Sequence, residues 1–177
     1  MTDLPRAGSD RPHARRIVTI GSLGGLLVGL FLFAFLVGLV VGPRAAATAD
    51  RLSYAAAWML PLAIVLFLMT LATGFGRFAS SADPTLGADT RYVDISRRVL
   101  TNTVEQSLIF ALAAFAMASL TPAGQLGMLG VLAILFVVAR LVFWIGYLRD
   151  PLYRYPGMAL TFGINGVMIV WDIVHLL

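Results

Sequence analysis

The sequence predicts an all-α integral membrane protein with five spanning helices, on three observations. Hydrophobic residues make up 59% of the 177-residue chain and charged residues only 12%, where a water-soluble domain carries about 25% charged residues. Mean hydropathy is +0.88. Five stretches reach the ~20 apolar residues that a bilayer-spanning helix needs.

The stretches are 17–42, 53–74, 99–120, 126–148 and 156–177. The first is long enough to tilt. No small-residue cleavage site follows a short apolar core there, so it reads as a retained helix rather than a signal peptide. Gly21, Gly25 and Gly29 repeat at every fourth position along it, and Gly38 and Gly42 repeat the spacing. Small residues at that spacing let helices approach closely. Between the second and third stretches, residues 75–98 read as a polar loop containing Gly, Pro, Ser and Asp, with a short helix within it. A long loop in a compact protein is often functional.

Arginine sets the orientation. Ten arginines, from Arg6 to Arg154, fall on one side of the predicted spans, and Arg44 and Arg51 fall on the other. The excess predicts a cytoplasmic N-terminus and long loop, and an external C-terminus. Every basic residue is Arg, and Ala and Gly are abundant. That usage points to a GC-rich bacterial genome and hence to a bacterial inner membrane. The net charge of +4 does not read as nucleic-acid binding, because no arginine run is interleaved with aromatics. With no Cys, disulfides and thiolate metal sites are excluded. His13 and His175 lie near opposite ends, so no metal site is expected.

Polar residues inside spans are expensive and mark function. Arg98, Asn102 and Glu105 stand at i, i+4 and i+7 on the third span, which places them on one helical face. Glu105 lies about 9 Å inside that span, at 1.5 Å per residue. On the fourth span Arg140 and Tyr147 share a face, with Arg140 about 12 Å deep. The matching depths predict a Glu105–Arg140 ion pair. Arg154 follows between Tyr153 and Tyr155, and Arg77 stands just beyond the second span. Guanidinium groups match carboxylates bidentately, and Glu105 suits an ammonium. The cluster therefore fits a small anion that also carries an amine.

The segment from Arg98 through Asn102 to Glu105 resembles the R-x-x-x-N-x-x-E signature of the MAPEG family, the membrane-associated proteins of eicosanoid and glutathione metabolism. The segment from Ala139 to Arg154 is similar to that family's following helix, in which an Arg precedes a Tyr by seven residues and a further Arg follows. Here these are Arg140, Tyr147 and Arg154. Arg77 matches the position of a family Arg that contacts glutathione.

The resemblance covers about residues 53–177. It implies a four-helix membrane domain there; the sequence before it reads as a cytoplasmic tail over 1–16 and an additional N-terminal transmembrane helix and loop over 17–52. It further implies a homotrimer that takes glutathione as co-substrate between neighbouring subunits. Arg77, Arg98, Asn102, Glu105 and Tyr147 would bind glutathione, and Arg154 would stabilise its thiolate. A lipophilic electrophile would arrive from the lipid bilayer. The chain departs from the family pattern in its extra helix and at Phe143, where some members carry a hydrogen-bonding Tyr or His. The surroundings of Arg154 and Pro156-Gly157 resemble generic bacterial members more than the eicosanoid enzymes.

The expected function is a glutathione-dependent membrane transferase or peroxidase. The alternative is a non-enzymatic membrane protein of the same fold that binds a lipid or a partner subunit. A channel fits least, because the polar groups cluster at one membrane edge.

Overall fold

The computed structural model describes residues 11–40, 42, 47–80, 89–122 and 124–177. It is an antiparallel helical bundle with six α-helices among the described residues. They are α1 (Arg11–Leu39), α2 (Thr48–Ala57), α3 (Leu60–Ser80), α4 (Arg91–Leu120), α5 (Gly127–Arg149) and α6 (Tyr155–Leu176). A single 3-10 turn, Pro151–Arg154, joins α5 to α6. Five helical segments are long and apolar enough to cross a membrane, and α2 and α3 together make the second of them. The chain is thus an all-α membrane bundle.

The break between α2 and α3 falls at Trp58–Met59, just before Pro61. Proline has no N–H to donate, and its ring crowds the carbonyl one turn back. Met59 N instead bonds the Ala56 carbonyl at 3.1 Å, one residue tighter than an α-helix. The offset lays the Trp58 ring against Gly130 of α5, where an added methyl would come within 2.5 Å of the indole.

The expected loop over 75–98 is shorter than the sequence suggests. α3 runs on to Ser80 and α4 already starts at Arg91. The early turns of α4 bury Val93, Ile95 and Ser96, and Thr90 caps them by accepting from Val93 N at 3.4 Å. Polar residues on the open side of an amphipathic helix end had read as loop. At the other terminus α1 begins at Arg11, inside the segment expected to be a tail. The remaining tail residues, 1–10, lie outside the described residues, as does most of the connection after Ser80.

Two apolar clusters fill the bundle. One, around Phe110, Leu129, Phe136 and Met168, occupies the end where α5 begins. The other, around Val65, Met69, Val99, Phe143 and Tyr147, occupies the end where α5 finishes. Between them lies a buried polar layer of Thr103, Gln106, Arg140, Thr161 and Asn165. Asn165 Nδ2 donates to Gln106 Oε1 at 2.9 Å, tying α6 to α4. α1 packs Leu32, Phe33, Leu36 and Val37 against the first cluster and presents Leu27, Phe31 and Phe35 outward. Apolar residues facing outward are what lipid requires of a spanning helix.

Candidate functional site

The site is built outward from Arg140, which is 0% exposed. Its Nε donates to Thr103 Oγ1 at 3.2 Å, its Nη1 to Thr161 Oγ1 at 3.3 Å and its Nη2 to Asn102 Oδ1 at 2.9 Å. Each threonine hydroxyl donates in turn to the carbonyl one turn back, Val99 at 2.7 Å and Gly157 at 2.8 Å. Their lone pairs are thereby turned toward the cation. Gly157 permits this approach, since a methyl there would overlap the α5 backbone at Ala139 and Phe143. The guanidinium carbon also lies 4.3 Å from the centre of the Phe143 ring. Phe143 thus supports Arg140 through its ring face at a position where it offers no hydrogen bond.

The expected Glu105–Arg140 pair is not formed. Among the described residues the ion pairs are Arg77–Asp89, Arg97–Asp89 and Arg97–Asp94. Helical rotation explains the correction. Successive residues turn by about 100°, so Glu105 points about 200° away from Thr103, which faces Arg140. Equal depth did not mean equal azimuth.

Glu105 is exposed instead, on a face it shares with exposed Val104, Leu108 and Leu112. The predicted stripe is intact there. Arg98, Asn102 and Glu105 line one open recess together with Arg97 and Thr101. Asn102 connects this recess to the interior. A guanidinium only donates, so Asn102 must present its oxygen to Arg140, which leaves its amide N–H groups for the recess.

Arg77 lies to one side, its Nη2 3.4 Å from Asp89 Oδ2. Arg97 reaches the same oxygen at 3.8 Å and also lines the recess, so it joins the two groups. Tyr147 and Arg154 form a third group. Tyr147 is buried, and the Arg154 guanidinium carbon lies 4.7 Å from its ring centre and 5.3 Å from that of Tyr155. Arg154 Nε is buried with no hydrogen-bond partner among the described residues. Neither Tyr147 nor Arg154 lines the recess. The chain therefore presents the six expected residues in two separate places, one on α4 with Arg77 beside it and one at the α5–α6 turn.

Sequence reasoning missed Arg97, Thr101, Thr103 and Thr161. Arg97 and Thr101 precede Arg98 and Asn102 by one residue and flank the stripe, a register that was available to read. Thr103 and Thr161 carried no signal of their own until Arg140 was located. Chemically, two guanidinium groups, a carboxylate and an amide on one open face offer donors for a carboxylate and an acceptor for an ammonium group. The turn adds a guanidinium with a free donor at the side of a phenol.

The family model described as MAPEG family matches residues 55–174, which spans α3, α4, α5 and nearly all of α6 and leaves α1 outside. No curated protein and no solved structure matches the chain.

Proposed function

The chain belongs to the MAPEG family, and on that footing we propose that it is a glutathione-dependent transferase or peroxidase acting on lipophilic electrophiles. The observation that carries this reading is Glu105, an exposed carboxylate beside Arg98 and Asn102, at the point where the polar stripe of α4 gives way to exposed Val104, Leu108 and Leu112. A charge at such a position is costly in lipid and needs a covering partner. Glutathione supplies one, since its ammonium suits Glu105 and its carboxylates suit Arg98, Arg97 and Arg77.

The division of the six residues between two places supports a homotrimer, in which the α4 recess of one subunit meets the Tyr147–Arg154 turn of the next. Glutathione then lies between subunits at the arginine-rich end, which the arginine bias directs to the cytoplasm. The composition favours a bacterial inner membrane.

The chemistry is thiolate activation. A free thiol has a pKa of about 8.5, so only a few per cent is ionised at neutral pH. An adjacent guanidinium favours the anion. Lowering that pKa by about two units takes roughly 2.7 kcal/mol, well within reach of one desolvated charge pair. Arg154 is the group for this role, with Tyr147 and Tyr155 holding it. The thiol proton leaves to water. With a halogenated arene the sulfur forms the new C–S bond and halide departs. The acceptor arrives laterally from lipid and the peptide from water, so a site at the membrane edge serves both.

Isothermal titration of the detergent-solubilised protein with glutathione tests the reading. Saturable binding that is weakened in Glu105→Gln is the expected result. Absence of binding by the wild-type protein would turn the reading toward a non-enzymatic member of the fold.

A further inference from the structure

α1 lies outside the matched family region, yet its glycine face meets the element that carries Arg154. α1 and α6 run parallel. Gly21 faces Pro156, where an added methyl would lie 3.3 Å from the proline Cδ. Gly25 is tighter, since a methyl there would overlap the Pro156 carbonyl oxygen and lie 2.8 Å from its Cα. Gly29 meets the Leu160 side chain one turn further on. The helix backbone of α1 therefore rests directly on the first turn of α6, with no side chain between them at Gly25.

The segment it touches is already gripped from the opposite side. A methyl at Gly146 of α5 would overlap the Tyr153 carbonyl oxygen, and Gly157 is pressed to the α5 backbone at Ala139 and Phe143. The stretch from Tyr153 to Gly157 thus sits between α5 and α1. Arg154 is inside that stretch, and Tyr155, which flanks its guanidinium at 5.3 Å, immediately precedes Pro156. Any outward shift of Pro156 moves Tyr155 and loosens the seat of Arg154.

We propose that α1 is a positioning clamp, whose Gly21–Gly25 face fixes the Tyr155–Pro156 step and thereby the placement of the Arg154 guanidinium. The clamp rests on the reading of Arg154 as the thiolate-binding group. It assigns a role to the added helix, because a four-helix body alone would leave this turn open on its outer side. The contact is backbone against backbone, so even a single methyl is too large at Gly25. One residue earlier, Gly24 has nothing within 4 Å of the same added methyl.

That contrast supplies the experiment. Gly24→Ala and Gly25→Ala make the same chemical change in adjacent helical positions and gain the same helix propensity. In the full-length protein, two readouts are compared with wild type. The first is the rate at which a dicarbonyl reagent modifies Arg154, followed by mass spectrometry without glutathione. The second is the pKa of bound glutathione from its ultraviolet thiolate absorbance.

Gly25→Ala should speed Arg154 modification several-fold. It should also raise the pKa of the bound thiol by about one unit, a tenfold loss of thiolate well below that pKa. Gly24→Ala should match wild type in both. Equal Arg154 modification in the two variants would overturn the clamp, whatever glutathione does. Faster modification in Gly25→Ala, in a wild-type background that binds no glutathione, would uphold the clamp and overturn the assigned function instead.

Discussion

Arg140 on α5 holds Asn102 on α4 by a 2.9 Å hydrogen bond from Nη2 to Oδ1, and so decides which way the Asn102 amide faces. A buried cation with only neutral partners is held by geometry, and each donor must find an oxygen. Neutral hydrogen bonds between membrane helices average about 0.6 kcal/mol, whereas bonds to a charged group are worth about 1.5–3 kcal/mol. Thr103→Val removes one acceptor and keeps the shape. It should destabilise the protein by about 1.5–3 kcal/mol, read as a lower midpoint in detergent thermal unfolding. A loss no larger than that of the neutral Asn165→Leu change would show that the guanidinium is not held as described.

Glu105→Gln separates binding from folding. Because Glu105 makes no ion pair with Arg140 and stands exposed on α4, the substitution should leave the unfolding midpoint within the small range expected of a surface change, about 0.5 kcal/mol. Glutathione affinity should fall, since the ammonium loses its counter-charge. A large drop in thermal stability would restore an intramolecular pairing role for Glu105.

Asp172 near the end of α6 is buried, and its Oδ1 has no hydrogen-bond partner among the described residues. It lines an apolar groove with Leu112, Ala116 and Ile169, at the opposite end of the bundle from Arg154. An unpaired buried carboxylate costs stability. Asp172→Asn should therefore leave the unfolding midpoint unchanged or raise it, with glutathione titration unaffected. A lower midpoint would show that the carboxylate is stabilised, by His175 three residues on or by a partner in the assembled protein.

How far the sequence reached follows from what each signal measures. Hydropathy windows located all five spans, because lipid constrains composition over ~20 residues at a time. They missed the break at Trp58–Met59, since apolar content carries no information about the hydrogen bond that Pro61 cannot donate. The periodic spacing of Arg98, Asn102 and Glu105 correctly put all three on one recess. Depth matching failed for Glu105 and Arg140, because the pairing of two helices also depends on their relative rotation. The glycines of α1 read as a packing face, and Gly21, Gly25 and Gly29 do pack. Their target, the Pro156 turn, is a matter of tertiary arrangement that no single helix encodes.

The central claim is that Arg154 stabilises the glutathione thiolate, and the ultraviolet thiolate absorbance of bound glutathione across pH tests it most directly. Arg154→Leu should fold and assemble as wild type does, since the side chain lies at a half-buried edge beside Tyr147. The pKa of the bound thiol should rise by about two units toward the free value of about 8.5. Conjugation of a chlorodinitrobenzene should slow most near neutral pH and recover as pH approaches that value. Arg154→Lys should recover only part of the shift, because an ammonium lacks the planar fork. A thiol titration in Arg154→Leu that coincides with wild type would contradict the account and leave Arg154 as a charge that only orients the chain in the membrane.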